Sequence, residues 1–172
     1  MKVDFKNFLD RFPKIELPVT LRDDSHHDFE QNDPLQAQMI TDFVAHYEAV
    51  EPDEFTEYIA CFQLPQTRQL AGEEQPKKTT FHAVVYFKAS LLQYDFVLAT
   101  YSPTGVMIDK KAIAGMKVVG DKVRQTVATM DEKFSIFTAE GAITEGDEFY
   151  DANATKPRRF EILEDGRLEQ EY

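Results

Sequence analysis

Alternating side chains and turn residues dominate the second half of this chain. In residues 81–88 and again in residues 94–101, two sets of side chains alternate, as they do on the two faces of a β-strand. The next four residues, Ser102–Gly105, place proline second and glycine fourth, which suits a type I turn. The pattern therefore predicts a β-hairpin that continues into residues 106–109.

Two further strand pairs follow along the sequence. Residues 123–130 and 133–139 predict one pair, and residues 159–163 and 167–171 predict another around Asp165-Gly166, which is a hairpin signature. The run of strands and turns over residues 96–137 resembles that of bacterial β-sheet proteins, and this resemblance implies no functional residue.

Three stretches outside these pairs complete the second part of the chain. Residues 55–64 are rich in aromatic and β-branched side chains and predict a largely buried strand, which Pro65 ends. Residues 65–78 are polar and predict a mobile connector. Residues 110–122 have a pattern that does not distinguish strand from loop or helix.

The first part of the chain predicts helices. Residues 4–12 carry an apolar stripe of phenylalanine and leucine, and Pro13 ends that helix. Asp33, Pro34 and Gln36 have the order of an N-cap, a favoured first residue and a capping-box partner, so a second helix is predicted over residues 34–48.

Extended chain and loop fill the space between the helices. Residues 15–21 alternate around Pro18, which predicts an edge strand or an extended arm. Residues 22–33 have no apolar period and predict a loop. The side of the second helix away from its apolar face carries Thr41 and Ala45.

Together these elements predict one α+β domain over residues 1–172. Residues 1–54 form its helical part, and residues 55–172 form a curved antiparallel β-meander, open and barrel-like, with seven or eight strands. The two N-terminal helices are expected to pack on one face or one end of the sheet.

Charge limits the classes of partner. The chain has 31 acidic and 19 basic residues and a net charge of −12, which disfavours binding to nucleic acid and to anionic membranes. Any electrostatic partner should be a basic protein. Met1–Asp10 lacks a signal-peptide pattern, apolar runs are short, and Cys61 is the only cysteine, so a soluble cytoplasmic protein without an internal disulfide is expected.

The first group of potential metal ligands is His26, His27 and Asp28, with Glu30 nearby. Imidazoles and carboxylates bind divalent transition metals. Adjacent histidines diverge in an extended chain, however, so one metal would need a tight turn to use both. The sequence therefore predicts a solvated acidic loop, with no metal and no cofactor.

Other candidate sites are weaker. Residues 145–153 alternate acids as a calcium loop does, but Tyr150 and Lys156 stand where an EF-hand needs glycine and glutamate. Cys61 could pair with His46 or His82, yet it lies in an apolar run and predicts a core cysteine. Phosphate-binding, hydrolase and metalloprotease motifs are missing. No catalytic residue is assigned.

The sequence thus favours a non-enzymatic binding protein with an acidic surface, of the inhibitor or immunity type, for a basic partner. The alternative is a small-molecule binder or enzyme with its site in the mouth of the sheet, lined by phenylalanine and tyrosine. A filled core would weigh against the alternative, whereas a deep pocket with a buried histidine or carboxylate would favour it.

Overall fold

The computed structural model describes residues 4–22, 24–70, 72–144 and 156–171. The helices are α1 (Phe5–Leu9), α2 (Ala37–Phe43) and two 3₁₀-helices, Ser25–Phe29 and Ala45–Tyr47. The strands are β1 (Val19–Leu21), β2 (Glu57–Gln63), β3 (Thr67–Arg68), β4 (Lys77–Lys78), β5 (His82–Ser90), β6 (Gln93–Tyr101), β7 (Met107–Val119), β8 (Lys122–Met130), β9 (Ser135–Thr144), β10 (Lys156–Ile162) and β11 (Leu168–Glu171).

An antiparallel sheet of nine strands organises the molecule. Its order is β11-β10-β9-β8-β7-β6-β5-β2, and β1 pairs with β8 outside this path. The α+β fold and the antiparallel meander are confirmed, and the sheet does not close into a barrel. The predicted connector 65–78 was wrong in part, because β3 and β4 pair there as a separate two-stranded sheet.

Strand β7 explains why residues 110–122 fit no single pattern. From Gly115 onward β7 pairs with the first part of β8. The last residues of β8 pair with β1 instead, and Val19 lies opposite Met130. The β6–β7 ladder shifts register next to this point, between Phe96 and Val97. A register shift of this kind bends a strand and disturbs simple alternation. Residues 107–119 are therefore one long irregular strand.

Hydrogen bonds across the fold show that the sheet is curved. Three strands lie between β7 and β11 in the sheet order. Nevertheless, the Leu168 N–H donates to the Asp109 carboxylate at 2.9 Å, and the Thr100 hydroxyl donates to the Gly166 carbonyl at 2.6 Å. The last hairpin must therefore return across the concave face towards β6 and β7.

Each face of the sheet has its own core. The concave face is filled with apolar side chains such as Phe62, Phe96 and Ile136. Both helices pack on the opposite face over β5 and β6. There the Phe8 ring lies 4.9 Å from Phe43 and 5.7 Å from Tyr101, centroid to centroid. The helices were predicted to pack on one face or one end of the sheet, and in the structure they pack on one face.

The first helix begins as predicted but ends earlier. The Asp4 side chain accepts a hydrogen bond from the Lys6 N–H at 2.9 Å and caps α1, which ends at Leu9 rather than at residue 12. Phe12 is still buried, with its ring 5.0 Å from that of Phe8. The apolar stripe was therefore a correct guide to burial and a poor guide to the end of the helix.

The predicted start of the second helix at Asp33 was wrong. Gln36 is the N-cap residue of α2, and no side chain caps the helix in the described part of the chain. The reason lies in an earlier tertiary contact. The Asn32 side-chain amide donates to the carbonyls of Ala60 and Cys61 at 2.8 and 2.9 Å, which ties the chain to β2. Residues 33–36 remain non-helical as the chain leaves this anchor.

The predicted helix 34–48 is also interrupted at its C-terminal end. The carbonyl of Phe43 accepts a hydrogen bond from the buried Tyr101 hydroxyl at 2.6 Å. In a continuing α-helix this carbonyl would accept from the N–H of Tyr47, which instead donates to Val44 and closes a 3₁₀ turn.

Within the described ranges, no helix has both the length and the apolar character needed to cross a bilayer.

Candidate functional site

One long stretch of the chain carries acids without compensating bases. Residues 23–67 contain no lysine and no arginine. Their acids are Asp23, Asp24, Asp28, Glu30, Asp33, Asp42, Glu48, Glu51, Asp53, Glu54 and Glu57. In the fold this stretch supplies α2, both 3₁₀-helices, β2 and the segments between them. These 11 acids give residues 23–67 a net charge of −11, whereas the 20 acidic and 19 basic residues of the rest of the chain nearly cancel.

A groove runs beside α2 within this stretch. We call it the α2 groove, and it has a volume of about 570 Å³. Its lining residues are Ala37, Ile40, Thr41, Ala45, His46, Glu48, Glu51 and Pro52. Three of them lie on one side of α2 because residues three and four positions apart share a helix face. The lining combines aliphatic side chains with two carboxylates.

Glu48 fixes one part of the groove to the sheet. Its carboxylate lies 3.1 Å from Lys88 Nζ on β5 and 3.2 Å from Lys110 Nζ on β7, and only 11% of the Glu48 side chain is exposed. Burial, and secondarily the charge of Glu48, raises the pKa of Tyr58 to about 12. Glu48 is thus a structural anchor whose charge is balanced by two lysines.

The segment that follows Glu48 presents exposed acids and exposed apolar side chains together. Glu51, Asp53 and Glu54 are exposed, and so are Val50 and Phe55, at 78% and 53%. The Asp53 carboxylate accepts hydrogen bonds from the Phe55 N–H at 2.9 Å and from the Thr56 hydroxyl at 3.1 Å. These bonds hold the turn in a conformation that leaves the Phe55 ring in solvent.

A smaller polar recess, of about 190 Å³, lies on the helix-bearing face of the sheet and includes Gln93, Asp95, Lys117, Arg124 and Glu140. Burial raises the pKa of the Asp95 carboxyl, while a 2.8 Å hydrogen bond from the Gln93 amide and the charge of Lys117 act in the opposite direction. A partly buried carboxylate beside cations is a frequent feature of ligand sites.

A second exposed apolar patch lies at the tips of two hairpins. We call it the tip patch; it comprises Leu91, Leu92 and Val119, which are 68%, 69% and 44% exposed. The Val118 N–H donates to the Leu92 carbonyl at 2.9 Å and joins the two tips. In sequence the patch is next to both Asp121 and Lys122, so acid and base balance there, unlike in residues 23–67.

The structure brings together some of the residues that the sequence analysis named as candidate metal ligands while predicting no metal there. His26, His27 and Glu30 each offer a ligand atom, and these atoms lie within 4.8 Å of one another. Asp28 is exposed and is not a member of this group. The predicted loop 22–33 contains the 3₁₀-helix Ser25–Phe29, so it is not irregular throughout.

The predicted core role of Cys61 is confirmed. Cys61 is 1% exposed and lies in the concave core, where burial strongly raises the pKa of its thiol. His82 contacts Phe5 on the opposite face, burial lowers its pKa, and its Nδ1 lies 3.0 Å from the Gln66 amide. His46 lines the α2 groove. Neither histidine is therefore placed to activate the thiol.

The acidic loop 145–153 lies outside the described residues. Of the sites above, sequence reasoning missed Asp95 altogether, because only the fold shows that a charged residue on a strand is partly buried. It also missed the groove formed by Ile40 and Glu51, although the absence of lysine and arginine over residues 23–67 is a signal that the sequence contains.

No protein-family model, curated protein or solved structure matches this chain. Its function must therefore be inferred from the geometry and charge of these surfaces.

Proposed function

We propose that this chain is a non-enzymatic binding protein that receives a basic protein segment in the α2 groove. The observation that carries the proposal is the coincidence of an open groove of about 570 Å³ with a stretch of 45 residues, 23–67, that lacks lysine and arginine. The acids of this stretch attract cationic partners at long range and repel polyanions. Because Glu48 is already paired with Lys88 and Lys110, Glu51 is the groove carboxylate that faces such a partner.

The lining of the groove specifies the partner further. Ala37, Ile40, Ala45 and Pro52 offer apolar surface, and the exposed carboxylate of Glu51 stands at the same groove. Apolar anchors surrounded by charges are typical of the helix-in-groove mode of peptide recognition. The partner that fits is an amphipathic segment with aliphatic residues on one face and lysine or arginine around them.

Phe55 follows the groove residue Pro52 by three positions and adds an exposed aromatic side chain to this part of the chain. An aromatic side chain that is half exposed in the free protein can bury much of its area against a partner, and such residues are enriched among interface hot spots. The turn at Asp53 already fixes the backbone around this ring, so binding would lose little entropy there. An inhibitor or immunity-type protein that covers a basic surface would use such a feature. Cytoplasmic location stays a prediction.

The test is binding of a fluorescein-labelled amphipathic helix built from leucine and lysine, measured by fluorescence anisotropy. Charge reversal of Glu51 and Glu54 to lysine should weaken binding at least about tenfold, or about 1.4 kcal/mol. The matched control reverses Asp121 and Glu169, which are exposed on the β7–β8 turn and on β11. Equal losses in both double variants would show that net charge alone drives binding and would contradict the proposed groove.

A second pair of variants tests the apolar contribution. Phe55→Ala should weaken binding several-fold, whereas Leu91→Ala in the tip patch should leave it unchanged. Both side chains are mostly exposed, so neither change should alter the free energy of unfolding by more than about 0.5 kcal/mol. Raising the ionic strength should weaken binding of the peptide, because exposed charges are screened beyond about 10 Å at 0.1 M salt.

A second candidate function, small-molecule binding, is favoured by the polar recess at Asp95. The concave face, where a site in the mouth of the sheet was expected, is filled by fully buried side chains such as Phe62, Phe96 and Phe134. The recess instead places carboxylates and cations together, an arrangement suited to a small zwitterion. A ligand found by thermal shift that loses affinity in Asp95→Asn and keeps it in Glu51→Lys would support this second function.

A further inference from the structure

The three potential ligands at the start of the acidic stretch converge because of the local helix. The segment Ser25–Phe29 is a 3₁₀-helix, and in such a helix the side chains of residues i and i+3 lie directly above one another. His27 and Glu30 have this spacing, and His27 Nδ1 lies 3.2 Å from Glu30 Oε1. The 3₁₀ turn therefore accounts for the approach of His27 to Glu30.

His26 completes the group from a fixed position. Its ring stacks on Phe87 of β5, with 5.1 Å between ring centroids and an angle of 12° between the ring planes. The centroids of the His26 and His27 rings are 4.0 Å apart. The aromatic contact holds one imidazole against the sheet, while the His27 and Glu30 side chains are 64% and 53% exposed.

We propose that His26, His27 and Glu30 form a binding site for a divalent transition metal of the zinc type. Two imidazoles and one carboxylate are ligands that zinc accepts, at about 2.0–2.2 Å each. Tetrahedral geometry at those distances places ligand atoms about 3.3–3.5 Å apart. The three ligand atoms already lie within 4.8 Å of one another, so small rotations of the exposed side chains bring them to bonding distance.

The proposed site differs in kind from the binding surface at α2. Three protein ligands leave coordination positions for water, and the partial exposure of the group allows water to reach them. The ion would add positive charge to the most acidic part of the chain. The site is independent of the α2 groove, since none of its ligands lines that groove.

The test is titration of the full chain with zinc chloride by isothermal calorimetry, with cobalt(II) absorption as a second readout. One ion per chain should bind, and the cobalt complex should show a visible band stronger than that of the aqueous ion. His27→Ala and Glu30→Gln should each weaken binding at least about tenfold, since even groups that only support metal ligands contribute about 10- to 100-fold.

The controls use the same residue types outside the group. Asp28→Asn changes an exposed acid of the same 3₁₀-helix, and His46→Ala removes a histidine of the α2 groove. Both should bind zinc as the wild type does. Absence of stoichiometric binding would overturn the proposal, and so would equal weakening by Asp28→Asn and Glu30→Gln. With zinc present, reversal of Glu51 and Glu54 should still weaken peptide binding, whereas Glu30→Gln should weaken zinc binding without removing peptide binding, which separates this result from the proposed function.

Discussion

Replacement of Gly115 by alanine tests how β7 is built into the sheet. Gly115 has a φ of +148°, and a Cβ atom built there would lie 2.2 Å from the Tyr94 carbonyl oxygen and 2.9 Å from the Asp95 Cα. Both neighbours are backbone atoms of β6, so relief requires that paired strands move apart. Gly115 also begins the ladder between β7 and β8 and lines the polar recess.

Two costs combine at this position. A backbone conformation that only glycine adopts readily costs about 1–3 kcal/mol for another residue. Forcing an extra carbon into a packed site costs about 1–3 kcal/mol more. We therefore expect Gly115→Ala to lower the free energy of unfolding by about 2–6 kcal/mol.

Gly120 provides the matched control. It also has a positive φ, +62°, but a Cβ there would meet no heavy atom within 4 Å in the described part of the chain. Gly120→Ala should therefore cost only the backbone term, about 1–2 kcal/mol. Urea denaturation of both variants measures the difference. If Gly115→Ala came within about 1 kcal/mol of Gly120→Ala, a figure close to the usual effect of a point mutation, the close approach of β6 and β7 would be refuted.

Two further predictions concern the helix layer and the recess. Phe43→Ala should cost about 3–5 kcal/mol, because the ring is buried at 9% exposure and packs on Phe5 and Phe8; an unchanged melting temperature would show that α2 does not pack there. For Asp95, burial raises the pKa in the folded state above the ordinary 3.8, so the native protein holds this proton more tightly than the unfolded chain. The protonated Asp95 carboxyl therefore contributes to the free energy of unfolding below pH 3.8, and this contribution is lost as the pH rises through the pKa of the folded state. Asp95→Asn should therefore gain stability relative to the wild type over that rise, and a relative loss, measured by urea denaturation at several pH values, would contradict the sign.

Local turn chemistry explains which parts of the fold were predictable. At Ser102–Gly105 the Gly105 N–H donates to the Ser102 carbonyl at 3.0 Å, and Gly105 has a φ of +93°, as a turn glycine can. The hairpin at Asp165-Gly166 is also confirmed, with a φ of +93° at Gly166. In each case the residues that form the turn are adjacent in sequence, so the sequence contained the whole signal.

Contacts between distant residues explain what was missed. The start of α2 depends on Asn32 bonding to β2, and its end depends on Tyr101 bonding to Phe43, 58 positions away. The pairing of β1 with β8 joins Thr20 to Thr129. Helix caps and alternation are local properties of the sequence, so they carry no information about such bonds. Tertiary contacts therefore determined where α2 begins and ends.

The candidate sites divide in the same way. The acidity of residues 23–67 is a property of composition, whereas the groove depends on how Ile40 and Pro52 come together after the break at Val44. The metal-ligand group required a 3₁₀-helix that no periodicity predicted, and it uses Glu30 rather than Asp28. The sequence therefore indicated which types of ligand are present and where the acids are concentrated. The fold determined which of these residues lie close together.

The most direct test of the proposed binding function is an NMR titration of the ¹⁵N-labelled chain with the leucine and lysine helix. The largest amide shift changes should fall on α2 and on residues 45–57, with Ile40, Glu51 and Phe55 among them, and they should diminish when Glu51 and Glu54 are reversed to lysine. Changes centred on the tip patch at Leu91 and Leu92, or on the recess at Asp95, would contradict the assignment of the α2 groove as the binding surface.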